Sequence, residues 1–252
     1  MTMTSFAPNV VVESTTETTA GSRAASPVRV QTNMVAQAER RFLDWLCERM
    51  PAGIGPDHLT AIGLGGAALA GIGYVATAWR PEFVFVACLG LVINWFGDSL
   101  DGSLARHRGI ERPRIGFFID HSVDCLSVIM ILAGVGASGY ATMDAALFAL
   151  VGYLLMTVHV FLKNSVTGRL QLTFVNCGPT EIRMTLILFS LIAYAIGVRE
   201  IVVAGTRTWP YSVLLYLFGA LMIVVFSIDT IKTASFLRDE ERELDRRGEV
   251  TP

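Results

Sequence analysis

The sequence predicts an all-α integral membrane protein with six transmembrane helices, preceded by an amphipathic juxtamembrane helix. Hydrophobic residues make up 52% of the 252 residues and charged residues only 17%, well below the roughly 25% of a typical soluble domain. The apolar residues are collected in long runs with few charges, and each run approaches the roughly 17–25 residues that a helix needs to cross a bilayer. These observations argue against an ordinary soluble helical protein.

The first part of the chain divides into a tail and a surface helix. Residues 1–33 are rich in Ser and Thr and lack a helical period, which predicts a disordered N-terminal tail. Residues 34–56 predict an amphipathic interfacial helix and a linker, because Phe42, Trp45 and Leu46 lie among charged residues. Trp45 is expected at the level of the lipid headgroups. Asp57 follows the linker and is placed to cap the first membrane span.

Six apolar segments follow within residues 57–236. Three contain no Asp, Glu, Lys or Arg, namely 59–78, 145–162 and 211–228, and three contain charges near their ends, namely 83–100, 115–137 and 182–204. The first segment is rich in small residues, which let helices pack closely in lipid: Gly63, Gly65, Gly66, Ala67, Ala68, Gly71 and Gly73. Residues 237–252 predict a charged cytoplasmic tail.

The distribution of basic residues predicts the orientation. With six spans, both termini lie on one side of the membrane. All of the 20 Lys and Arg residues except Arg80, Arg199 and Arg207 then fall on that same side. By the positive-inside rule, that side is the cytoplasm.

Four aspartates mark a candidate metal site at the cytoplasmic ends of two consecutive spans. Asp98 and Asp101 are spaced i, i+3, and Asp120 and Asp124 are spaced i, i+4, so each pair lies on one helix face. The short connection predicts that the two spans are antiparallel neighbours whose pairs face each other. Four carboxylates at this depth need compensating charge, and their oxygens favour hard cations such as Mg²⁺, Mn²⁺ or Ca²⁺. About two divalent ions would balance them, an arrangement that serves phosphoryl transfer.

The residues between the aspartates carry a family resemblance. Residues 98–106 read DSLDGSLAR and residues 116–124 read GFFIDHSVD. This pattern resembles the signature DxxDGxxAR…GxxxDxxxD of the CDP-alcohol phosphotransferases, with every fixed residue present, and the resemblance covers residues 57–234. It implies a six-helix core in which Asp98, Asp101 and Asp120 bind metal, with Asp124 as a fourth ligand or the general base.

The same resemblance implies the other participants in the reaction. Two divalent cations, Mg²⁺ or Mn²⁺, would assist the attack of an acceptor hydroxyl on a CDP-linked donor in phospholipid biosynthesis, with release of CMP. The donor or the acceptor would be a lipid. Expected donor contacts are Gly102, Ala105, Arg106 and Gly116, where Gly116 would also let the third span approach the second closely.

His121 narrows the resemblance to one branch of the family. The stretch DHSVDCLS is similar to the DHxxDxLS form of the choline and ethanolamine phosphotransferases, in which the His is a proposed base, so His121 and Asp124 are both candidates for that role. This branch favours CDP-ethanolamine or CDP-choline as donor and a lipid acceptor. The alternative is CDP-diacylglycerol as donor with serine, inositol phosphate or glycerol phosphate as acceptor.

Further polar residues of the cytoplasmic loop between the fourth and fifth spans are candidate acceptor or phosphate contacts: Lys163, Arg169, Glu181 and Arg183. The positive-inside rule also explains the basic members of this group. Membrane lipids are expected partners and relatives often form homodimers, whereas no nucleic-acid partner is expected.

Two other classes of function are weighed against this enzyme. A carboxylate-site transporter often has inverted repeats with broken helices in both halves, and the last three spans contain no matching acidic pair. A catalytically silent scaffold of the same fold would normally have lost a motif aspartate, and all four are present.

Overall fold

The computed structural model describes residues 34–167, 179–197, 201–203 and 206–247. Its helices are α1 (Met34–Arg49), α2 (Pro56–Ala76), α3 (Val84–His107), α4 (Pro113–Gly136), α5 (Met143–Thr167), α6 (Pro179–Ile196) and α7 (Pro210–Arg247). A 3-10 turn, Pro81–Phe83, precedes α3. Strands β1 (Ile201–Val203) and β2 (Thr206–Thr208) pair antiparallel, with Ile201 opposite Thr208. The predicted all-α class is confirmed, and this small ribbon is the exception within the described residues.

Five of the described helices are long and apolar enough to cross a membrane: α2, α3 with its preceding turn, α4, α5 and α7. The apolar part of α6, Ile182–Ile196, is shorter. A multi-pass membrane protein is therefore confirmed, whereas the count of six spans is not. The predicted segment 182–204 was wrong at its end, because Gly197 has a φ of +77°. That left-handed conformation is typical of the residue that ends a helix.

The last helix is longer than the predicted span. α7 continues through Arg247 without a break, and its residues 238–247 are exposed. The charged segment from residue 237 to Arg247 is therefore an extension of α7. Its cytoplasmic location stays a prediction.

Helix α2 lies at the centre of the bundle because its glycines allow backbone-to-backbone contact. A Cβ atom placed on Gly66 or Gly73 would lie 2.4 Å from a backbone nitrogen of α3, and one on Gly71 would lie 2.6 Å from the Met130 carbonyl of α4. A Cβ on Gly63 would meet α3 at 3.3 Å, whereas Gly65 faces open space. The packing role predicted for the small residues is confirmed at these four glycines.

The expectation that the second and third spans are direct neighbours was wrong. α3 and α4 contact each other little, because α2 packs against both of them. α3 and α4 bear carboxylates on the sides that face one cavity, and like charges oppose close packing of those sides. The aspartates therefore meet across a gap whose wall is provided by α2.

The outer surface of the bundle is apolar. Large side chains such as Ile72, Phe118 and Leu217 are 65%, 69% and 64% exposed. Exposed apolar area on this scale is typical of an interaction surface. On helices of membrane-spanning length, the surface is suited to contact with lipid.

Helix α1 packs against the end of α3 that bears Asp98 and Asp101. Leu43 and Cys47 are buried in a cluster with Leu59, Leu100 and Leu104, while Phe42 and Trp45 stay about half exposed. Helix α1 therefore buries Leu43 and Cys47 against α2 and α3. Its location at the membrane surface stays a prediction.

The linker after α1 is held by a single arginine. The guanidinium of Arg108 donates to the backbone carbonyls of Met50, Pro51 and Ile54 at 3.1, 3.0 and 2.6 Å. Since Arg108 directly follows α3, the linker between α1 and α2 is fastened to the same end of α3.

Glu39 joins α1 to two other helices, and we expect its loss to destabilise the bundle. Its Oε1 accepts hydrogen bonds from Trp95 Nε1 of α3 at 3.0 Å and from Thr180 Oγ1 of α6 at 2.9 Å. Because hydrogen bonds to charged groups contribute about 1.5–3 kcal/mol, Glu39→Ala should lower the melting temperature in detergent clearly, and Glu39→Gln less. Glu48→Ala, at an exposed acid of α1, serves as the control. Equal melting temperatures for the two alanine variants would contradict this prediction.

Candidate active site

The four motif aspartates line one narrow cavity between α2, α3 and α4. Asp98 and Asp101 come from the last turns of α3, and Asp120 and Asp124 come from the first turns of α4. The remaining lining residues come from these helices and from α2: Thr60, Gly63, Asn94, Val123 and Ser127. The predicted facing of the two pairs is therefore observed, although α3 and α4 are not direct neighbours.

Three of the carboxylates converge. One oxygen each from Asp98, Asp120 and Asp124 lies within 4.8 Å of the other two. This spacing allows a single hard cation to contact all three, because such cations prefer carboxylate oxygens. The cluster could therefore bind a metal ion.

Asp101 faces the same cavity but is engaged by α2. Its Oδ2 accepts a hydrogen bond from Thr60 Oγ1 at 2.6 Å, and its Oδ1 accepts one from the Gly102 amide at 2.5 Å. These bonds hold the carboxylate in one orientation beside the other three. Sequence reasoning missed Thr60, because nothing in the motif spacing points to the first span.

Arg183 lies inside the carboxylate cluster. Its Nη1 is 2.7 Å from Asp98 Oδ2 and its Nη2 is 3.8 Å from Asp124 Oδ1, and the side chain is only 10% exposed. The sequence suggested an acceptor or phosphate contact for this residue. The structure instead pairs it with two motif aspartates, an arrangement that sequence spacing gives no means to predict. The Arg183 guanidinium therefore balances part of the negative charge of the aspartates.

His121 lies on the side of α4 that faces α5. Its Nδ1 is 2.8 Å from the carbonyl oxygen of Phe117, which accepts only, so Nδ1–H donates and the neutral ring keeps its lone pair on Nε2. The ring packs between Phe117 and Phe161, with centroid distances of 4.2 and 5.3 Å. His121 is next to Asp120 but is not among the residues that line the cavity.

The predicted donor contacts are on α3 and α4, the helices that bear the aspartates, but none of them is among the residues that line the cavity. The Arg106 guanidinium lies over Gly102, because a Cβ on Gly102 would be 3.3 Å from Arg106 Nη1. Ala105 is half-buried on the same helix. Gly116 faces open space, so the expectation that it lets α4 approach α3 closely was wrong. Its lack of a side chain instead leaves the backbone of α4 accessible.

The remaining candidate acceptor contacts are dispersed. Lys163 of α5 is bonded to Asp229 of α7 at 2.9 and 3.1 Å, and Asp229 also bonds His159 Nε2 at 2.7 Å. Glu181 lies in the first turn of α6. Arg169 lies outside the described residues.

The sequence that forms these helices and contains the four aspartates matches a known protein family. The sequence profile of the CDP-alcohol phosphatidyltransferases matches residues 56–228, from the start of α2 to the apolar part of α7. The chain belongs to the CDP-alcohol phosphatidyltransferase family. The family resemblance read from the sequence is confirmed.

The curated relatives of this chain include proteins with two different names. Cholinephosphotransferase 1 of Xenopus laevis is 25% identical over 181 residues, which cover 68% of this chain and 42% of the relative. The same enzyme of Gallus gallus is 26% identical over 180 residues and is covered to 50%. Archaetidylinositol phosphate synthase of Methanothermobacter thermautotrophicus is 32% identical over 113 residues, which cover 44% of this chain and 53% of the relative. The chain spans about half the length of these relatives.

A solved structure shares the fold. Phosphatidylinositol phosphate synthase of Mycobacterium tuberculosis, crystallised with CDP-DAG bound, aligns with a TM-score of 0.54 and 16% identity. The alignment covers 78% of this chain and 93% of the solved chain. At this identity the likeness concerns the fold alone.

Proposed function

We propose that the chain transfers a phosphoalcohol group from a CDP-alcohol to an acceptor hydroxyl, with release of CMP, in phospholipid biosynthesis. The observation that carries this proposal is the convergence of carboxylate oxygens from Asp98, Asp120 and Asp124 within 4.8 Å of one another. Asp101 lines the same cavity, so all four aspartates of the family pattern face one space.

The metal-binding residues are Asp98, Asp101, Asp120 and Asp124, which would hold two divalent cations, Mg²⁺ or Mn²⁺. When bound, such ions stabilise the charge on the phosphoryl, attacking and leaving oxygens during an in-line displacement. The protein contributes the fixed positions of the carboxylates, through Thr60 for Asp101 and through Arg183 for Asp98.

The donor would bind against the mouth of the cavity. Ala105 and Gly116 have a small side chain or none, which leaves room for a nucleotide, and Gly102 lets the Arg106 guanidinium lie close to α3. Arg106 is exposed close to Gly102 and can pair with a donor phosphate.

His121 is the group that we assign to accept the proton of the acceptor hydroxyl. Its Nε2 carries the lone pair, whereas Asp124 is near Arg183 and within the carboxylate cluster, and a metal-bound carboxylate is a weak base. In the reaction the acceptor oxygen forms a bond to the β-phosphorus of the donor. The bond from that phosphorus to the bridging oxygen breaks, CMP leaves with the electron pair, and the acceptor proton moves to His121 Nε2.

Replacing His121 tests this assignment. We expect His121→Gln to lower kcat by about 10²–10⁴-fold, the usual contribution of a general base, with the affinity for Mn²⁺ unchanged. His107→Gln, at an exposed histidine at the end of α3, is the matched control. If His121→Gln left kcat intact while Asp124→Asn lowered kcat without weakening Mn²⁺ binding, Asp124 would be the base.

We favour CDP-ethanolamine or CDP-choline as the donor and a lipid as the acceptor. Lys163 and Arg183 are both paired with carboxylates, an arrangement that suits a neutral acceptor better than an anionic one. His121 lies between Phe117 and Phe161, surroundings that suit the hydroxyl of a lipid. The cholinephosphotransferases among the relatives support the same assignment of donor and acceptor.

In the alternative assignment, CDP-diacylglycerol is the donor and a polar alcohol is the acceptor. The archaetidylinositol phosphate synthases among the relatives favour it. Serine, inositol phosphate and glycerol phosphate are the acceptors to compare.

We further propose that the site and both termini face the cytoplasm, since the basic residues are sorted to that side. Membrane lipids surround the bundle, and two copies can associate through its apolar surface.

The decisive assay is release of CMP by the purified protein in detergent with Mn²⁺ or Mg²⁺. CDP-ethanolamine or CDP-choline is offered with diacylglycerol, and CDP-diacylglycerol is offered separately with each polar alcohol, beside an Asp101→Asn control. Metal-dependent release of CMP that is lost in the Asp101→Asn control would support the proposed transfer reaction. The substrate pair that reacts would show which compound is the donor and which is the acceptor. If neither CDP-alcohols nor divalent metal bound to the protein, the carboxylate-site transporter would be the better account.

A further inference from the structure

Two polar side chains form a floor beneath the carboxylates. Asn94 lies one turn before Asp98 on α3, and Ser127 lies one turn after Asp124 on α4. Both line the same cavity as the aspartates, and both are only 2% exposed. The floor is therefore a second polar layer at greater depth in the bundle.

The floor contains two hydrogen-bonding atoms that are buried and unpartnered. Asn94 Oδ1 and Ser127 Oγ have no hydrogen-bond partner among the described residues. The rest of the asparagine is satisfied, because its Nδ2 donates to the Gly63 carbonyl at 2.9 Å. A flipped amide would set oxygen against oxygen, so this bond fixes Oδ1 as the atom without a partner.

Such atoms are costly to bury unless something bonds to them. Two apolar side chains at the same positions would avoid that cost. A bound species that donates hydrogen bonds to the two oxygens would offset the cost and explain why polar side chains are present. Asn94 Oδ1 only accepts, and Ser127 Oγ can accept. Both residues line the cavity that also contains the aspartates, and buried waters typically bond to two to four polar groups.

We propose that Asn94 and Ser127 bind an ordered water molecule. They orient this water so that a lone pair of its oxygen faces the carboxylate cluster. One hydrogen of the water is donated to Asn94 Oδ1 and the other to Ser127 Oγ, which leaves its oxygen free to face the aspartates. Hard cations commonly keep water among their ligands. The inference rests on the proposed metal site: the oriented water would supply one further oxygen to a cation held by Asp98, Asp120 and Asp124. Asn94 and Ser127 are then positioning residues that act through this water.

Ser127→Ala is the variant that isolates the floor, because it removes one oxygen and little volume. Ser122→Ala is the matched control, since Ser122 is on the same helix but is exposed and bonded to the Phe118 carbonyl. Binding of Mn²⁺ to the full-length protein in detergent is measured without substrate, by electron paramagnetic resonance. Melting temperatures are measured in the metal-free state.

We expect Ser127→Ala to weaken Mn²⁺ binding by about 10-fold, the lower end of the usual effect of groups that orient metal ligands. Electron–nuclear double resonance of the bound Mn²⁺ in D₂O should lose the couplings of one water. Ser122→Ala should change neither quantity. If Ser127→Ala kept the wild-type Mn²⁺ affinity and raised the metal-free melting temperature, the hydroxyl would be buried dry, and the proposed water site would be overturned.

The same measurements separate this inference from the proposed function. A wild-type protein that binds Mn²⁺ but releases no CMP from any substrate pair would overturn the function and leave the water site standing. A wild-type protein that releases CMP and a Ser127→Ala variant with unchanged Mn²⁺ binding would overturn the water site alone. Absence of Mn²⁺ binding by the wild type would overturn both.

Discussion

Replacement of Asp120 by Asn is expected to abolish metal-dependent release of CMP. The change removes one of the three carboxylates that converge within 4.8 Å and leaves an amide of nearly the same shape. Because a bound divalent ion contributes several kcal/mol to stabilisation of the transition state, the rate should fall by at least about 10³-fold. The ion pair between Arg183 Nη1 and Asp98 Oδ2 does not use the Asp120 carboxylate, so it should persist.

The measurement combines turnover with equilibrium binding of Mn²⁺. Glu111→Gln is the matched control, since it removes one negative charge from an exposed site in the loop between α3 and α4. We expect the control to keep both turnover and Mn²⁺ binding. An Asp120→Asn variant with wild-type turnover would remove the basis of the proposed metal site.

Replacement of Gly97 by Ala is expected to disrupt the fold around the site. The added methyl group would lie 2.4 Å from the Gly63 nitrogen and 2.5 Å from the Leu59 carbonyl oxygen, contacts that only a shift of α2 against α3 can relieve. Overpacking typically costs 1–3 kcal/mol, so the melting temperature in detergent should fall. The shift would also move Thr60 relative to Asp101, so turnover should fall with it.

Gly65→Ala makes the same chemical change where space is available. No atom lies within 4 Å of a Cβ on Gly65, although this residue is also in α2. We expect the variant to keep the wild-type melting temperature and turnover, or to gain slightly, since alanine is a better helix former than glycine. A similar loss in both variants would indicate that helix propensity, and not the contact of α2 with α3, sets the stability.

The boundaries of the membrane helices show where sequence reasoning was sufficient. Helices α2 and α7 begin at Pro56 and Pro210, and the starts of their apolar runs were predicted within a few residues. The end of α6 was not, because apolar residues resume after Arg199 and Glu200, whereas the backbone already turns at Gly197, which adopts a left-handed conformation. An apolar run records the preference for lipid but does not show where the backbone turns.

The arrangement of the helices was harder to predict than their existence. A short loop between two helices suggests that they pack directly, yet α2 packs between α3 and α4. The small residues of α2 predict close packing with other helices. Their partners on α3 and α4, which include Gly90, Gly97 and Gly134, are evident only from the structure. Close approach requires small residues on both helices at the same height, which is a pairwise property.

The class of the protein, its family and the four aspartates could be predicted from the sequence, because they depend on local composition and on fixed spacing along two helices. The neighbours of those aspartates depend instead on the packing of distant segments. Arg183 pairs with Asp98 across 85 positions of the chain, and Thr60 bonds Asp101 across 41. Asn94 and Ser127 likewise line one cavity only because the bundle holds α3 and α4 on either side of it. Spacing along one helix fixes which side chains share a face, whereas contacts between helices depend on the packing of the whole bundle.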